Sequence, residues 1–408
     1  MSVTTRMAWR NLWRHGRRTW LTVGAMIFCN ALLVFMMSFQ FGTYSLMIDS
    51  TLSVLTGHIQ IQQQDYNDEP RMRFSIPDGA ALAARLRDQS DTQTMAARGV
   101  TFALASSEER SFGIQVMGVQ SDFEDQVSTI PGLITRGRYL ENNDAEEIVI
   151  GSVLARNLKI DVGDELTLLG SGRDGSFAAG IATVVGIIDS GMPDLDRSVA
   201  QVPLGYFQEV FSMDDHVHSI VVSVPSLNVV ADTKATLSTL VSSPDLVVLD
   251  WDQLQPGLKQ AIQADLFSNF IMYAVLIVLV AFSVLNTQLM SVLERTREFG
   301  VMMALGLSPG NLGRLVFLET AVMSLLGLTL GCLLGGAISL YFQANGVYIP
   351  GMEAAMAQYN LPGELYPQVS LLSVFLGPGI VFIGCMAAAI YPALRLHTLQ
   401  PVAAMRAV

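Results

Sequence analysis

Four stretches of this chain, residues 19–48, 266–293, 320–352 and 365–394, contain no Asp, Glu, Lys or Arg. Each exceeds the roughly 20 residues that carry a helix across the apolar core of a bilayer, so each predicts one membrane span. Between the first two the period changes. Residues 57–64 alternate His58, Gln60 and Gln62 with Ile59 and Ile61, and 112–119, 147–150, 165–169, 182–188 and 219–224 are further short β-branched runs bounded by Gly, Pro or Asp. Helical spacing predicts helices over 78–89, 153–158 and 229–242. A further helix over 251–264 leads toward the second span, with Pro256 and Gly257 able to break its first turn. If it continues into the membrane it forms a stiff rod. The fold class expected is a membrane protein of four transmembrane α-helices with a large α+β extracytoplasmic domain between helices 1 and 2.

Composition supports the membrane reading, because 51% of the 408 residues are hydrophobic and only 15% charged, against about 25% charged in soluble proteins. Five arginines precede the first apolar run, which invites comparison with a signal peptide. The run is longer than an h-region of about 7–15 residues, and no small-x-small site closes it, so a retained span is expected. Cys29, Cys332 and Cys385 all fall inside predicted spans, which leaves the large domain no disulfide and no cysteine metal site.

Lys and Arg in the short segments set the orientation. The N-terminal segment has Arg6, Arg10, Arg14, Arg17 and Arg18, the loop after span two has Arg295, Arg297 and Arg314, and the tail has Arg395 and Arg406. Residues 343–370 have no basic residue. Both termini are therefore expected in the cytoplasm. The plan is an amphipathic helix over 1–19, spans over 20–42, 266–293, 315–342 and 371–394, an outer domain over 43–265, a cytoplasmic coupling loop over 294–314, an outer loop over 343–370 and a tail over 395–408. The segment between Thr43 and Leu266 holds 31 acidic and 14 basic residues, a net of −17 against +5 for the rest, so it is the source of the chain's overall −12. That argues against nucleic acid and fits either solubility or a basic partner.

In the N-terminal segment Trp9, Leu12 and Trp13 lie opposite Arg10, Arg14, Arg17 and Arg18, which suits a helix on the membrane surface, as lever or as topogenic anchor. The loop Glu294-Arg295-Thr296-Arg297-Glu298-Phe299-Gly300-Val301-Met302-Met303-Ala304-Leu305-Gly306-Leu307-Ser308-Pro309 is a charged stretch, an apolar turn and a stop. It suits a small helix docking into a partner's groove, or a plain hairpin connection. Gly327, Gly331 and Gly335 share one face of span three and let a helix approach closely, as static packing or as a shifting interface. Glu319 near the cytoplasmic end of this span has Arg314 as a nearby partner. Asn30, Asn269, Asn286 and Gln288 are the uncharged polars in or near spans; with no charge at mid-depth, proton coupling is disfavoured. His216 and His218 read as structural, since no third metal ligand is apparent. No G-x-x-x-x-G-K-[ST] loop occurs: the glycine-rich 170–176, GSGRDGS, lacks the Lys.

The run VLERTREFGVMMALGLSPGNLGRLVFLETAVMSLLGLTLGCLLGG, the closing YPALRLHTLQPVAAMR, the domain segment EEIVIGSVLARNLKIDVGDELTLL and the N-terminal WRNLWRHGRRTWLT resemble the FtsX-like permease family, which includes MacB and the lipoprotein-releasing permeases. The resemblance covers essentially the whole chain. It implies that 294–307 is a coupling helix, with Glu298, Gly300, Ala304 and Gly306 at the family's E-x-G-x-x-x-A-x-G positions. Glu294, Arg295, Arg297 and Glu298 would hold the rim of an ATPase groove and Met302, Met303 and Leu305 would fill it. It also implies an ABC ATPase on a separate chain in two copies, ATP and Mg bound there and no cofactor here, a second permease (self or paralogue), and a periplasmic lipoprotein carrier. The lipoprotein-releasing branch is favoured by the separate ATPase, the four spans and the GHIQIQ strand. For that branch Phe35, Met36, Phe39 and Phe41 of span one and Phe267, Phe270, Ile271 and Tyr273 of span two share a depth and form a candidate substrate path, the alternative for each residue being ordinary lipid contact. The alternatives are MacB-like efflux of peptides or drugs, FtsX-like signalling to a cell-wall hydrolase, and a receptor without an ATPase.

Overall fold

The computed structural model describes residues 7, 10, 11, 14, 16–90, 92, 94–241, 243–351, 356 and 363–398. Of the N-terminal amphipathic pattern, Trp9, Leu12 and Trp13 lie outside the described residues, as does the last part of the closing motif; Met7, Arg10, Asn11 and Arg14 are helical. Contacts divide the chain into two compact units, one drawn from 1–44, 261–348 and 364–408 and the other from 45–260 and 349–363.

Among the described residues four helices, lying wholly or mostly in the first unit, are long and apolar enough to cross a membrane. They are α1 (Gly16–Thr51), α9 (Pro256–Glu294), α11 (Pro309–Asn345) and α12 (Leu371–Arg395). The 39 residues of α9 make about 58 Å of helix, roughly twice the hydrocarbon thickness of a bilayer. Residues 251–264 do not form one helix: α8 (Trp251–Leu254) stops at Gln255 and α9 restarts with Pro256 as its first residue, where the missing N–H costs nothing. Met26, Cys29 and Leu33 of α1 pack on Val284 of α9 and on Val381 and Cys385 of α12. The apolar window of α1 is 56% buried and that of α9 only 6%, so α1 is the central helix and α9 keeps most of its apolar surface outward.

In the second unit the strands are β1 (Ile59–Gln63), β2 (Met95–Ser106), β3 (Ser111–Val119), β4 (Ile134–Gly137), β5 (Glu147–Gly151), β6 (Glu165–Ser171), β7 (Phe177–Ile188), β8 (Val199–Pro203), β9 (Ser219–Val222) and β10 (Leu246–Asp250). The helices among them are α2 (Gly79–Gln89), α3 (Ser121–Val127), α4 (Ser152–Leu158), α5 (Pro193–Ser198), α6 (Leu204–Val210) and α7 (Val230–Leu240). Strand order β10-β1-β9-β2 is wholly antiparallel. With α2 after β1 and α7 after β9, this part has the β-α-β-β-α-β plan of a ferredoxin-like sheet. Ile59, Ile61, Met95, Ala97, Ile220 and Val222 face Ala83 and Leu86 of α2 and Leu237 of α7. Everything from β3 to β8 is inserted between the second and third strands of that sheet.

The insertion closes a ring. β2 pairs with β3, β3 with β8, β8 with β5, β5 with β7, β7 with β6 and β6 with β2. Ile114, Val116, Ile148, Ile150, Leu166, Leu168, Val184 and Val202 fill its interior together with Phe207 and Phe211 from the α6 segment. β2 is common to both halves. Gly99 and Gly118 are required where Phe207 lies on the sheet, because an added Cβ would sit 2.3 Å and 2.4 Å from its atoms.

Candidate functional site

The loop after α9 forms a short helix, α10 (Thr296–Ala304), instead of continuing over 294–307. Arg295 leaves helical geometry at φ −101°, ψ 12° and separates α10 from α9. At the far end the Gly306 N–H donates to Met303 O at 3.0 Å and the Leu307 N–H to Met302 O at 3.1 Å. Gly306 has φ +97°, so this is a Schellman stop in which glycine takes the left-handed position. The Ser308 hydroxyl then caps α11 by accepting from the Asn311 N–H, and Pro309 is its first residue. The sequence Gly-Leu-Ser-Pro thus ends one helix and starts the next within four residues.

Helical spacing gives α10 two faces. Arg295, Phe299 and Gly300 are buried, and Phe299 packs with Val292, Leu312, Val316 and Leu396. Met302 and Met303 join that cluster. Expected to fill a partner's groove, they stand half-buried against the protein's own cluster, because they follow Phe299 by one helical turn. Outward stand Val301 at 46%, Leu305 at 79% and Leu307 at 38% exposure, with Glu294, Arg297, Glu298, Ala304 and Gly306 also exposed.

A charged network pins the buried face. The Arg295 guanidinium donates through Nη1 to both Glu319 oxygens at 3.1 and 3.2 Å and through Nε to Glu298 Oε2 at 3.3 Å. Asn11 Nδ2 donates to Glu319 Oε1 at 2.8 Å, and Arg14 Nη1 lies 3.2 Å from Glu298 Oε1. The guanidinium also sits 5.0 Å from the Phe299 ring centre. Glu319 therefore pairs with Arg295 and not with Arg314, which is five residues away on the same helix and so on another face. With 9% and 6% of their side chains exposed, Arg295 and Glu319 depend on each other, since either alone would be a buried charge.

Higher in the bundle the glycine face of α11 meets α1. A Cβ at Gly327 would lie 2.6 Å from Met26 Cβ, at Gly331 2.4 Å from Asn30 Cβ, and at Gly335 2.8 Å from both Ala31 Cα and Ala31 O. The stripe was legible in the sequence; its partner was not.

The candidate substrate path is not assembled as one surface. Phe35 stacks on Phe39 at 6.0 Å and meets Phe342 of α11 at 5.7 Å, and Met36 is half-buried. Phe267, Phe270 and Ile271 lie on the outward face of α9 with 66%, 64% and 50% exposure. What joins the C-terminal part of α1 to the N-terminal part of α9 is polar. Tyr273 donates to Gln40 Oε1 at 2.8 Å, Gln40 Nε2 to Tyr44 Oη at 2.6 Å, Tyr44 to Asp265, and Asn269 Nδ2 to Asp265 at 2.9 Å.

His218 is buried between Tyr66 and Phe207, and GSGRDGS forms the turn from β6 to β7. Among the described residues no group of three His, Cys, Asp or Glu gathers to hold a metal ion.

Comparison with known proteins matches residues 19–240 to the MacB-like periplasmic core domain and residues 270–401 to the FtsX-like permease C-terminal model. The lipoprotein-releasing system transmembrane protein LolC of Xylella fastidiosa is 25% identical over 310 residues, covering 73% of this chain and 74% of that one. LolE of Haemophilus influenzae is 25% identical over 301 residues, 71% of each chain. The macrolide export ATP-binding/permease protein MacB of Chlorobaculum tepidum is 22% identical over 411 residues, covering 95% of this chain and 59% of that one.

Proposed function

This chain belongs to the FtsX-like permease family with a MacB-like periplasmic core domain, and from that premise we propose that it is the non-hydrolysing membrane subunit of an ATP-driven machine that releases lipidated proteins from the outer leaflet of the inner membrane. It is an ABC-type permease of the kind represented by LolC, LolE and MacB. In the proposal α10 is the coupling helix, both termini and α10 face the cytoplasm, the β domain faces outward, and two permeases work with two copies of a separate ATPase that binds ATP and Mg. A soluble outer carrier receives the cargo.

The observation that carries the reading is the way α10 is held. Its inner face is fixed by Arg295, Glu319 and Phe299 while Val301, Leu305 and Leu307 stand outward. A helix so pinned moves as one piece with the ends of the spans, and its apolar crest suits a groove in a soluble partner. Similarity to LolC and LolE over more than 70% of the chain favours lipoprotein cargo. Such cargo has an energetic constraint: at about 0.8 kcal/mol per CH₂, an acylated anchor in water costs on the order of tens of kcal/mol. It must pass between apolar surfaces, and the outward face of α9 around Phe267, Phe270 and Ile271 supplies one.

Reconstitution with the cognate ATPase tests the proposal. ATP should transfer a lipidated protein from liposomes to a soluble carrier. Hydrolysis without transfer would shift the reading to MacB-like efflux or FtsX-like signalling.

A further inference from the structure

A helix end leaves four carbonyls without intrahelical partners, and a buried end needs outside donors for them. α1 does not stop at Thr51 but widens into a π-helical turn, Leu52–Thr56, a geometry that is uncommon and often marks functional positions. The turn is closed by Gly57 at φ +69°, whose N–H donates to Leu52 O at 2.7 Å. Leu52 and Val54 are buried. Each of the next four carbonyls has its own donor from the β domain. The Thr129 N–H reaches Ser53 O at 2.9 Å, the Ser128 hydroxyl reaches Val54 O at 2.7 Å, Arg98 Nη1 reaches Leu55 O, and Gln60 Nε2 reaches Thr56 O at 2.6 Å. The donors come from β1, β2 and the segment after α3, so the helix end sits in a socket.

Arg98 is the centre of that socket. On the face of β2 opposite α2 it is 1% exposed, and Glu124 beside it is fully buried. Its Nε and Nη2 donate to the two Glu124 oxygens at 3.1 and 2.6 Å, leaving Nη1 for the helix carbonyl. Glu124 is held in turn by Gln201 Nε2 at 3.3 Å, and Tyr139 donates to Gln201 at 2.7 Å. A buried ion pair of this kind adds little stability over an apolar pair of the same volume. What it supplies is a fixed direction for one guanidinium N–H at the negative end of a helix. The other boundary of the domain arrives at the same point, for Gln255, just before α9, donates through Nε2 to Thr56 Oγ1 at 3.2 Å. Beside the socket a cavity of about 300 Å³, lined in part by Leu55, Thr56, Gln60, Arg98 and Gln255, leaves room for it to shift.

We propose that this socket is the mechanical joint through which movement of α1 enters the β domain, and that Arg98 is its positioning residue. The proposal rests on the ATP-driven reading above, and its test separates the two. The full chain, with its cognate ATPase in liposomes, carries a fluorophore on Phe177→Cys, an exposed position on β7; the three native cysteines are buried. Three quantities are read: ATP hydrolysis, the ATP-dependent change of the fluorophore's signal, and transfer of a lipidated protein.

Arg98→Lys keeps the charge but cannot hold Glu124 and the Leu55 carbonyl together. Arg98→Met with Glu124→Leu removes the pair without stranding a charge and keeps the domain folded. Both should hydrolyse ATP within about twofold of the parent and lose the signal and the transfer roughly tenfold, the ordinary scale of coupling between sites. If the double variant keeps both at the parent level, the pair is only structural and the joint is overturned. If the parent shows the signal without transfer, and the variants lose the signal, the joint stands and the lipoprotein reading falls. No ATP-dependent signal in the parent sinks the joint itself.

Discussion

The Arg295 guanidinium spans both carboxylate oxygens of Glu319, at 3.1 and 3.2 Å, across 24 residues of sequence. Replacing one partner strands the other charge in a buried position. Arg295→Met should therefore lower stability by about 3 kcal/mol, whereas Arg295→Met with Glu319→Leu should recover most of it. Both should lose stimulation of the ATPase, because α10 is no longer held in one orientation. Thermal unfolding in detergent and ATPase rate in liposomes give the two readings; full stimulation by the double variant would count against the pinned-helix account.

The two faces of α10 should separate binding from folding. Leu305→Asp, at a position 79% exposed, should leave the unfolding midpoint nearly unchanged and reduce co-purification of the ATPase about tenfold. Phe299→Ala, fully buried in the cluster with Val292 and Leu312, should instead cost roughly 3–5 kcal/mol. Equal effects of the two substitutions on folding would contradict the assignment of faces.

Adjacent glycines give a matched pair. A Cβ at Gly335 meets the Ala31 backbone at 2.8 Å, and one at Gly336 meets nothing within 4 Å. Gly335→Ala should cost about 1–3 kcal/mol by forcing α1 and α11 apart; Gly336→Ala should be neutral or slightly stabilising. Unfolding of the two single variants decides it.

The buried His218 makes the β domain acid-sensitive. Its Nδ1 accepts the Val100 N–H at 2.9 Å and Nε2 faces Met72 O at 3.3 Å, so a second ring proton would point at a donor. Burial accordingly lowers its pKa from 6.5 to about 4. Between these values the unfolded chain binds the proton that the folded one refuses, so stability is complete above pH 6.5 and falls as pH drops toward 4, by about 3 kcal/mol in all. His218→Gln should flatten this part of the unfolding-midpoint profile; an unchanged pH slope would remove His218 as its source.

Length and polarity are local properties, which is why the four long apolar helices and the shift to strand periodicity after Gly57 could be read directly from the residues. Ile59 and Ile61 alternate with Gln60 and Gln62, and the strand is there. β2 escaped the same reading: Met95-Ala96-Ala97-Arg98-Gly99 has little of the β-branched signature, and its small residues are selected by Phe207 and by neighbouring strands distant in sequence. The break at Gln255 was announced by Pro256, and the stop at Gly306 by its glycine.

Chemistry at the ends of the helices was legible only in part. The charged and apolar pattern of 294–307 announced a small helix, and the glycine stripe announced a close neighbour. Which methionines face inward, which helix fills the stripe, and that Glu319 chooses Arg295 over Arg314 depend on how helices are rotated against one another. A residue's own sequence neighbourhood specifies its periodicity but not that rotation. Arg98 is the clearest case: alone it reads as a surface charge, and only a fold that brings Glu124 and the Leu55 carbonyl to its two ends makes it the centre of a socket.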